Sequence, residues 1–343
     1  MRQDDAPPVI ADYGLIGDGR SAALCSTGGS IDWLCLPRFD SDPVFGRLVG
    51  GERAGSFSIS ISDVVATERR YRSGSAVLET TWRTPSGAAT LTEGMVLDLS
   101  HGLLPQALLV RRLSCTGAPV LARLLFDPRG GFSGDPFSVR CGPGGLVCTR
   151  GGLALGLQIS PEARVRPGEP AEVVVRPERP LVVVMSMAHR EPLVVVRPET
   201  ALGLLDDTDR WWQGWTSRIS YGGPGADAVR RSLIVLRLLT YSPSGAPVAA
   251  PTTSLPEEVG GIRNWDYRFA WPRDASIGIA AFLATGLPDE AHSFLHWLLY
   301  ASRLTRPRLR VLYTLDGKPG PPEEEVSGAP GYRGSRPVRI GNG

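Results

Sequence analysis

The stretch Ser56-Phe57-Ser58-Ile59-Ser60-Ile61-Ser62 alternates polar and apolar side chains with a period of two residues. This period places successive side chains on opposite faces, so the stretch predicts a half-buried β-strand. Upstream of it, residues 22–36 form two apolar runs around Thr27-Gly28-Gly29-Ser30, a pattern typical of a strand, a turn and a second strand. The N-terminal part of the chain is therefore expected to be antiparallel β-structure.

Three further β-branched runs lie downstream, and two of them are followed directly by an Arg-Pro dipeptide. They are Glu172-Val173-Val174-Val175, Leu181-Val182-Val183-Val184 and Leu193-Val194-Val195-Val196. Many short strands at such spacing favour a β-sandwich over a sheet built from alternating strands and helices. We expect β-structure from residue 9 to about residue 200.

Apolar spacing becomes helical after this point. It predicts helices over residues 199–218, 227–241, 273–285 and 289–303, with a long loop over 242–272. The change places a domain boundary near residue 220 and predicts two domains, 1–220 and 221–343. If the helices remain an open set, apolar side chains such as Leu233, Leu236 and Leu239 are expected to be exposed.

Composition excludes several classes of protein. The chain has 343 residues, of which 42% are hydrophobic and 21% charged, and 37 basic against 35 acidic residues give a net charge of only +2. This balance provides no basic field for nucleic acid, and no apolar run approaches the roughly 18 residues of a membrane span. Five cysteines without a C-x-x-C pair favour reduced thiols. We expect a cytoplasmic protein without nucleic-acid or membrane partners.

Two short motifs suggest ligands, but each has a simpler explanation. Gly17-Asp18-Gly19-Arg20-Ser21-Ala22 fits a dinucleotide-binding pattern, yet no helix fits between it and the glycines that follow, so we expect a turn. His292 and His296 are four residues apart on a predicted helix, but Ser293 stands where the zinc-protease motif needs glutamate. We expect no metal site and no cofactor.

Two clusters of aromatic or acidic residues are assigned structural roles. Trp211, Trp212 and Trp215 are expected to seal the joint between the domains rather than stack on a sugar. The run Glu323-Glu324-Glu325 follows two prolines and is expected to be a solvated loop.

Residues 260–274 have a composition suited to binding sugar. They combine four aromatic residues, three arginines, two aspartates and one of only two asparagines in the chain, in a loop that enters a helix. Aromatic faces cover the C–H surfaces of a pyranose, while arginine and aspartate hydrogen-bond its hydroxyls. A buried ion-pair network between loops is the alternative explanation.

Several blocks of the chain resemble the bacterial glucoamylase- and trehalase-like enzymes of glycoside hydrolase family 15. Residues 10–18 and 29–41 are similar to the start of their N-terminal β-domain. Pro251-Thr252-Thr253-Ser254-Leu255-Pro256-Glu257 and residues 264–274 and 331–342 are similar to their catalytic domain. The blocks occur in the family's order, so the resemblance covers nearly the whole chain.

The resemblance implies a β-supersandwich followed by an (α/α)6 barrel. It also implies inverting hydrolysis of α-glucosidic bonds in a disaccharide or oligosaccharide, with one glutamate as acid and another as base. In the family, the Arg-Asp pair after the tryptophan binds the non-reducing glucose, a role that falls here to Arg273 and Asp274. Trp271 would form a wall of that site, and the residues expected nearby are Trp265, Asp266 and Tyr267.

The sequence departs from the family at its end. Both catalytic glutamates are expected beyond Gly343, so the barrel is expected to be incomplete and the chain inactive as given. Trehalose and maltooligosaccharides both remain open as substrates, and oligomeric state is not indicated. A glucan-binding or vestigial protein and a related sugar phosphorylase are the alternative functions.

Overall fold

Antiparallel strands dominate the first half of the computed structural model, which describes residues 7–99, 104–142, 145–303 and 305–342. A short helix, α1, spans Arg47–Gly50 between the fourth and fifth strands. In chain order the strands are β1 (Tyr13–Gly17), β2 (Ala22–Ser26), β3 (Ser30–Cys35), β4 (Pro43–Phe45), β5 (Ser56–Ile61), β6 (Ala66–Tyr71), β7 (Leu78–Thr84), β8 (Gly87–Met95), β9 (Ala107–Gly117), β10 (Val120–Asp127), β11 (Arg129–Gly130), β12 (Asp135–Pro136), β13 (Ser138–Gly142), β14 (Gly145–Arg150), β15 (Leu153–Ser160), β16 (Ala171–Val175) and β17 (Leu181–His189).

Two large sheets form a sandwich. One has the order β1-β2-β3-β5-β10-β16, with β4 paired to β3, and the other has the order β13-β14-β15-β17-β9-β8-β7-β6. Apolar side chains from both sheets fill the space between them, including Ile31, Leu91 and Leu155. Phe45, Phe57 and Phe126 meet in this core, with ring centroids 5.2 to 6.0 Å apart. Two sheets that enclose one apolar core are the arrangement expected of a β-sandwich.

Most of the predicted strands are confirmed. Residues 56–62 contain β5, and residues 22–36 contain β2 and β3 with the predicted turn between them. In that turn Gly29 has φ +77°, and a Cβ there would lie 2.1 Å from the carbonyl oxygen of Ile59, so only glycine fits. The runs beginning at Glu172 and Leu181 lie in β16 and β17.

The strand predicted over residues 193–196 is wrong. This segment is not paired with any strand, because β17 already has β15 on one side and β9 on the other. Val196 is instead buried against Val182, Val184 and the helix that follows. Apolar content alone did not distinguish this packed, unpaired segment from a strand.

Four longer helices follow the sandwich close to the predicted positions. They are α2 (Pro198–Thr216), α3 (Ala226–Leu238), α4 (Pro272–Ala284) and α5 (Pro288–Arg303). Helix α3 ends earlier than predicted because the next residues pair in a small sheet. The short strands of this part are β18 (Thr240–Tyr241), β19 (Ala246–Pro247), β20 (Glu324–Glu325) and β21 (Arg339–Ile340). The described residues contain no helix long and apolar enough to span a membrane.

The expectation that Leu233, Leu236 and Leu239 are exposed is wrong. Leu233 is 2% exposed and packs in one cluster with Trp212 and Trp215, so the tryptophans of α2 cover α3. Leu236 and Leu239 are partly buried against the same helices and the β18–β19 segment. The large exposed apolar side chains on the helices of this region lie on α4 and α5 instead: Ile277, Leu283, Leu295, Leu299 and Tyr300. Others lie in its loops: Val259, Ile262, Leu309 and Val311.

The helical region also packs against the sandwich through its loops. Trp33 of β3 donates from Nε1 to the Pro251 carbonyl oxygen over 2.7 Å. Trp33 also shares a buried cluster with Tyr332 and Val338. The structure therefore shows β-sheets followed by helices that contact them, whereas the (α/α)6 barrel and the division at residue 220 stay predictions.

Candidate functional site

Side chains of residues 264–268 alternate between the interior and the surface. Asn264, Asp266 and Arg268 are buried, whereas Trp265 and Tyr267 are half-buried. An extended backbone produces this alternation because successive side chains point to opposite sides. The two aromatic residues therefore form the outer side of the segment, and the charged pair forms its inner side.

Asp266 and Arg268 form a buried ion pair. Arg268 donates to Asp266 from Nε over 2.9 Å and from Nη2 over 2.7 Å, and both side chains are at most 1% exposed. The backbone N–H of Gly341 donates to the second carboxylate oxygen over 3.1 Å. Burial alone would lower the pKa of Arg268, but the charge and hydrogen bonds of Asp266 raise it overall.

This pair connects three parts of the chain. Arg268 donates from Nη1 to the Ser41 carbonyl oxygen over 2.7 Å, which reaches the sandwich. Asn342 donates from Nδ2 to the backbone oxygen of Asp266 over 2.5 Å, which adds the end of the described chain. The buried network that the sequence left open is thus present at Asp266, whose carboxylate is fully occupied by protein donors.

The predicted Arg-Asp pair begins α4. Trp271 precedes the helix in an extended conformation, and Pro272 occupies the first turn, where its lack of an N–H costs no hydrogen bond. Asp274 in the same turn interacts favourably with the positive end of the helix dipole. The Arg273 side chain is 72% exposed and the Asp274 side chain 37%, and a single contact of 3.2 Å joins Nη2 to Oδ2.

Two aromatic rings lie beside this exposed pair. The ring centroids of Tyr267 and Trp271 are 6.0 Å apart at an interplanar angle of 36°. The Arg273 guanidinium lies 5.6 Å from the Trp271 centroid. Burial raises the pKa of Tyr267, and the negative charges of Glu257 and Asp274 raise it further while Arg273 opposes them. Tyr267, Trp271, Arg273 and Asp274 therefore form one group at the surface.

Trp265 belongs to a neighbouring group. The Arg339 guanidinium lies 4.9 Å from its ring centroid, and Arg339 Nε is 3.0 Å from a carboxylate oxygen of Glu323. Glu324 and Glu325 pair as β20 with β21, so the acidic run is not simply a solvated loop. Sequence analysis did not find Arg339, because no spacing rule connects positions 265 and 339.

Other candidate ligands lie away from this surface or form no site. His292 and His296 are exposed on α5 with stacked rings 6.5 Å apart. Within the described ranges, no three histidine, cysteine, aspartate or glutamate side chains are grouped to hold a metal ion. The arrangement that remains offers a cation, a carboxylate and two aromatic faces at one helix start.

Comparison with known families accounts for both parts of the chain. Residues 2–163 match the trehalase-like N-terminal family, and residues 223–343 match the glycosyl hydrolases of family 15. Residues 223–343 are thus similar to the catalytic part of glycosyl hydrolase family 15. The family resemblance inferred from the sequence motifs is confirmed, and the Arg273–Asp274 group lies within the matched family 15 region.

Two curated relatives are named trehalase. The trehalase of Thermoplasma volcanium is 33% identical over 98% of this chain and 54% of its own length. That of Mycolicibacterium smegmatis is 32% identical over the same shares. The chain thus spans about half the length of these relatives. A putative kojibiose phosphorylase structure covers 89% of this chain and 50% of its own, at 10% identity and a TM-score of 0.44, too weak a similarity to define the fold.

Proposed function

We propose that this chain supplies the sugar-binding part of an inverting α-glucoside hydrolase of family 15. In this proposal Arg273 and Asp274 bind the non-reducing glucose. The observation that carries the proposal is the exposed Arg273–Asp274 pair at the start of α4, beside Trp271 and Tyr267. Trehalose is the substrate we favour, because curated relatives covering 98% of the chain are named trehalase. Other α-linked glucose disaccharides and oligosaccharides are the second choice.

Each group has a distinct task in this proposal. Arg273 donates hydrogen bonds to glucose hydroxyls, Asp274 accepts them, and the Trp271 and Tyr267 faces cover apolar C–H surface. The pair is held together by one exposed contact, so a ligand hydroxyl can replace it at little cost in free energy. Trp265 borders the site, held by Arg339.

We propose a positioning role for Asp266. Its carboxylate already accepts from Arg268 and Gly341, so direct contact with sugar would require breaking a buried ion pair. Through Arg268 it fixes the backbone that carries Trp265 and Tyr267 to the sandwich at Ser41.

Hydrolysis needs a further pair of carboxyl groups. An inverting glycosidase uses one as acid and one as base, on either side of the bond. Near Tyr267 the carboxylates are Asp274, paired with Arg273, and Glu257, which is 3.3 Å from Arg263. In this proposal Asp274 binds the sugar and so does not also serve as acid or base, and Glu257 alone does not make the required pair. We therefore propose that the 343-residue chain alone binds α-glucosides without cleaving them.

The remaining sequence predictions form part of the same proposal. We propose domains over residues 1–220 and 221–343, with the sugar site in the second. We also propose a cytoplasmic location and hydrolysis without a cofactor.

A hybrid protein tests the hydrolase proposal. The portion of the Thermoplasma volcanium trehalase that follows its matched half would be joined after Asn342, and glucose release from trehalose and maltose measured. We expect release by the hybrid, and a loss of roughly 2 to 4 kcal/mol of transition-state stabilisation for Arg273→Ala or Asp274→Ala. An active hybrid that tolerates both substitutions would refute the site assignment. Glucose release by the chain alone would refute its proposed inactivity.

A further inference from the structure

A polar cavity lies between α3, the β18–β19 turn and α5. Its volume is about 470 Å³, within the range of small-molecule sites. Its lining includes Arg237 from the end of α3, Ser242 and Ser244 from the turn, and Glu290, Ser293 and His296 from α5.

Glu290 brings unused hydrogen-bonding capacity to this cavity. Its side chain is 10% exposed, and Oε1 accepts one hydrogen bond from Trp215 Nε1 over 2.5 Å. Oε2 has no hydrogen-bond partner among the described residues and lies 3.8 Å from Arg218 Nη2. A nearly buried carboxylate oxygen without a donor is costly unless another group supplies one.

Arg237 provides the complementary charge. Within the described ranges no carboxylate lies within ion-pair distance of its guanidinium, which lies 5.9 Å from the Trp211 ring centroid. Burial lowers the pKa of Arg237, and the nearby negative charge of Glu290 opposes that effect. Arg237 and Glu290 are therefore close enough to interact electrostatically without being paired to each other.

The charges of the lining restrict the ligand. A free anion would meet the carboxylates of Asp289 and Glu290, and a free cation would meet Arg237. A hydroxyl group satisfies both sides, since it accepts from a guanidinium and donates to a carboxylate. We propose that this cavity binds a neutral monosaccharide or disaccharide, with Arg237 donating to its hydroxyls and Glu290 accepting from them.

This site is separate from the Arg273–Asp274 group. Asp274 lies in the first turn of α4, whereas Glu290 lies in the first turn of α5. The two helices are joined by residues 285–287 and pack as a hairpin, so the start of α5 lies beside the end of α4. At 1.5 Å per residue, this places Glu290 roughly 12 Å from Asp274 along the helix. Phe294, which also lines the cavity, lies closer, beside Gly278, but Tyr267, Trp271, Arg273 and Asp274 are not part of the lining.

Trp215 provides a reporter for the experiment. Its indole N–H bonds directly to Glu290, so its NMR signal in the ¹⁵N-labelled full chain should move when a ligand engages that carboxylate. The signal is assigned with Trp215→Phe, and glucose, trehalose and inorganic phosphate are titrated in turn. We expect glucose or trehalose to move the signal, in the unchanged protein and in Arg273→Met alike.

Two substitutions test the assigned residues. Arg237→Met keeps the apolar stem and is expected to weaken the sugar response about tenfold. Arg230→Met on the same helix is the matched control, since Arg230 pairs with Asp227 instead, and should not change it. Glu290→Gln keeps the shape of the side chain and should also weaken the response. This second variant keeps the proposal testable if Arg237→Met does not fold.

The remaining outcomes overturn the proposal. It fails if neither sugar moves the Trp215 signal, or if Arg237→Met and Glu290→Gln both leave the response unchanged. Movement with phosphate but not with sugar would make the cavity an anion site and also refute it. Signals of Trp265 and Trp271 report on the Arg273 site in the same spectra, so failure of one site is distinguishable from failure of the other.

Discussion

Two arginine–aspartate pairs occur within nine residues of the chain, one in a loop and one at the start of α4, and they differ in almost every physical respect. Arg268 and Asp266 are at most 1% exposed and share two charge-assisted hydrogen bonds between their side chains. Arg273 and Asp274 are 72% and 37% exposed and share one contact of 3.2 Å. The same residue types thus form a buried ion pair at positions 266 and 268 and exposed hydrogen-bonding groups at positions 273 and 274.

The difference shows why composition alone does not locate a binding site. A buried pair has already exchanged water for protein partners, so a ligand gains nothing by approaching it. An exposed pair retains donors and acceptors that a sugar can use. Burial therefore separates the positioning pair from the pair that we propose binds glucose.

The largest expected effect is on the buried pair. Arg268→Ala leaves Asp266 buried without its counter-charge, and should lower the free energy of unfolding by about 3 to 5 kcal/mol. Equilibrium urea unfolding measures this loss. Arg273→Ala is the matched control and should change stability by less than about 0.5 kcal/mol. Similar losses for both variants would remove the distinction between the pairs.

A buried carboxyl group without an arginine partner sharpens the comparison. Burial raises the pKa of Asp18 from 3.8 to about 6, although backbone N–H groups of Ser21 and Arg20 oppose the rise. The folded state then holds the proton more tightly than the unfolded state, so stability falls as pH rises from about 4 to about 6.

Asp18→Asn isolates that effect. Asparagine keeps the Oδ1 acceptor for the N–H groups of Arg20 and Ser21 but cannot ionise. Relative to this variant, the unchanged protein should lose on the order of 2 to 3 kcal/mol between pH 4 and pH 6.5. Urea unfolding across that range measures the difference. A constant difference at all pH values would show that Asp18 does not titrate as described.

Arg339 is intermediate between the two pairs. Its side chain is 12% exposed, and it contacts Glu323 and the face of Trp265. Arg339→Met should cost about 1 kcal/mol in urea unfolding, the size of a partly exposed cation–π contact with an ion pair. Exposed Arg336→Met is the control. An equal cost for the two variants would mean that Arg339 does not hold Trp265.

Local sequence patterns predicted most elements but not their contacts. Period-two alternation identified β5, and helical apolar spacing identified α4 and α5. The strand predicted over residues 193–196 does not form because both edges of β17 already pair with other strands. This is a property of the sheet rather than of the segment. Leu233 was misjudged for a similar reason, because the side chains that cover it come from α2.

For the candidate site, too, the sequence predicted the local segment but not its contacts with distant residues. The segment containing Trp271, Arg273 and Asp274 was identified from composition and from the family motif, and the structure places these residues together with Tyr267. Alternation along residues 264–268 also turns Asp266 inward, which the motif could not indicate. Contacts from distant positions, such as Arg339 on Trp265, depend on the tertiary fold.

Calorimetric titration with trehalose tests the central claim most directly, using the 343-residue chain and three variants. Arg273→Ala and Asp274→Ala should remove the heat of the Arg273–Asp274 site, leaving only that of the Arg237–Glu290 cavity, while urea unfolding stays almost unchanged. His292→Ala, on an exposed part of α5, should bind trehalose as the unchanged protein does. Unchanged binding in Arg273→Ala and Asp274→Ala, or its loss in His292→Ala alone, would contradict the account.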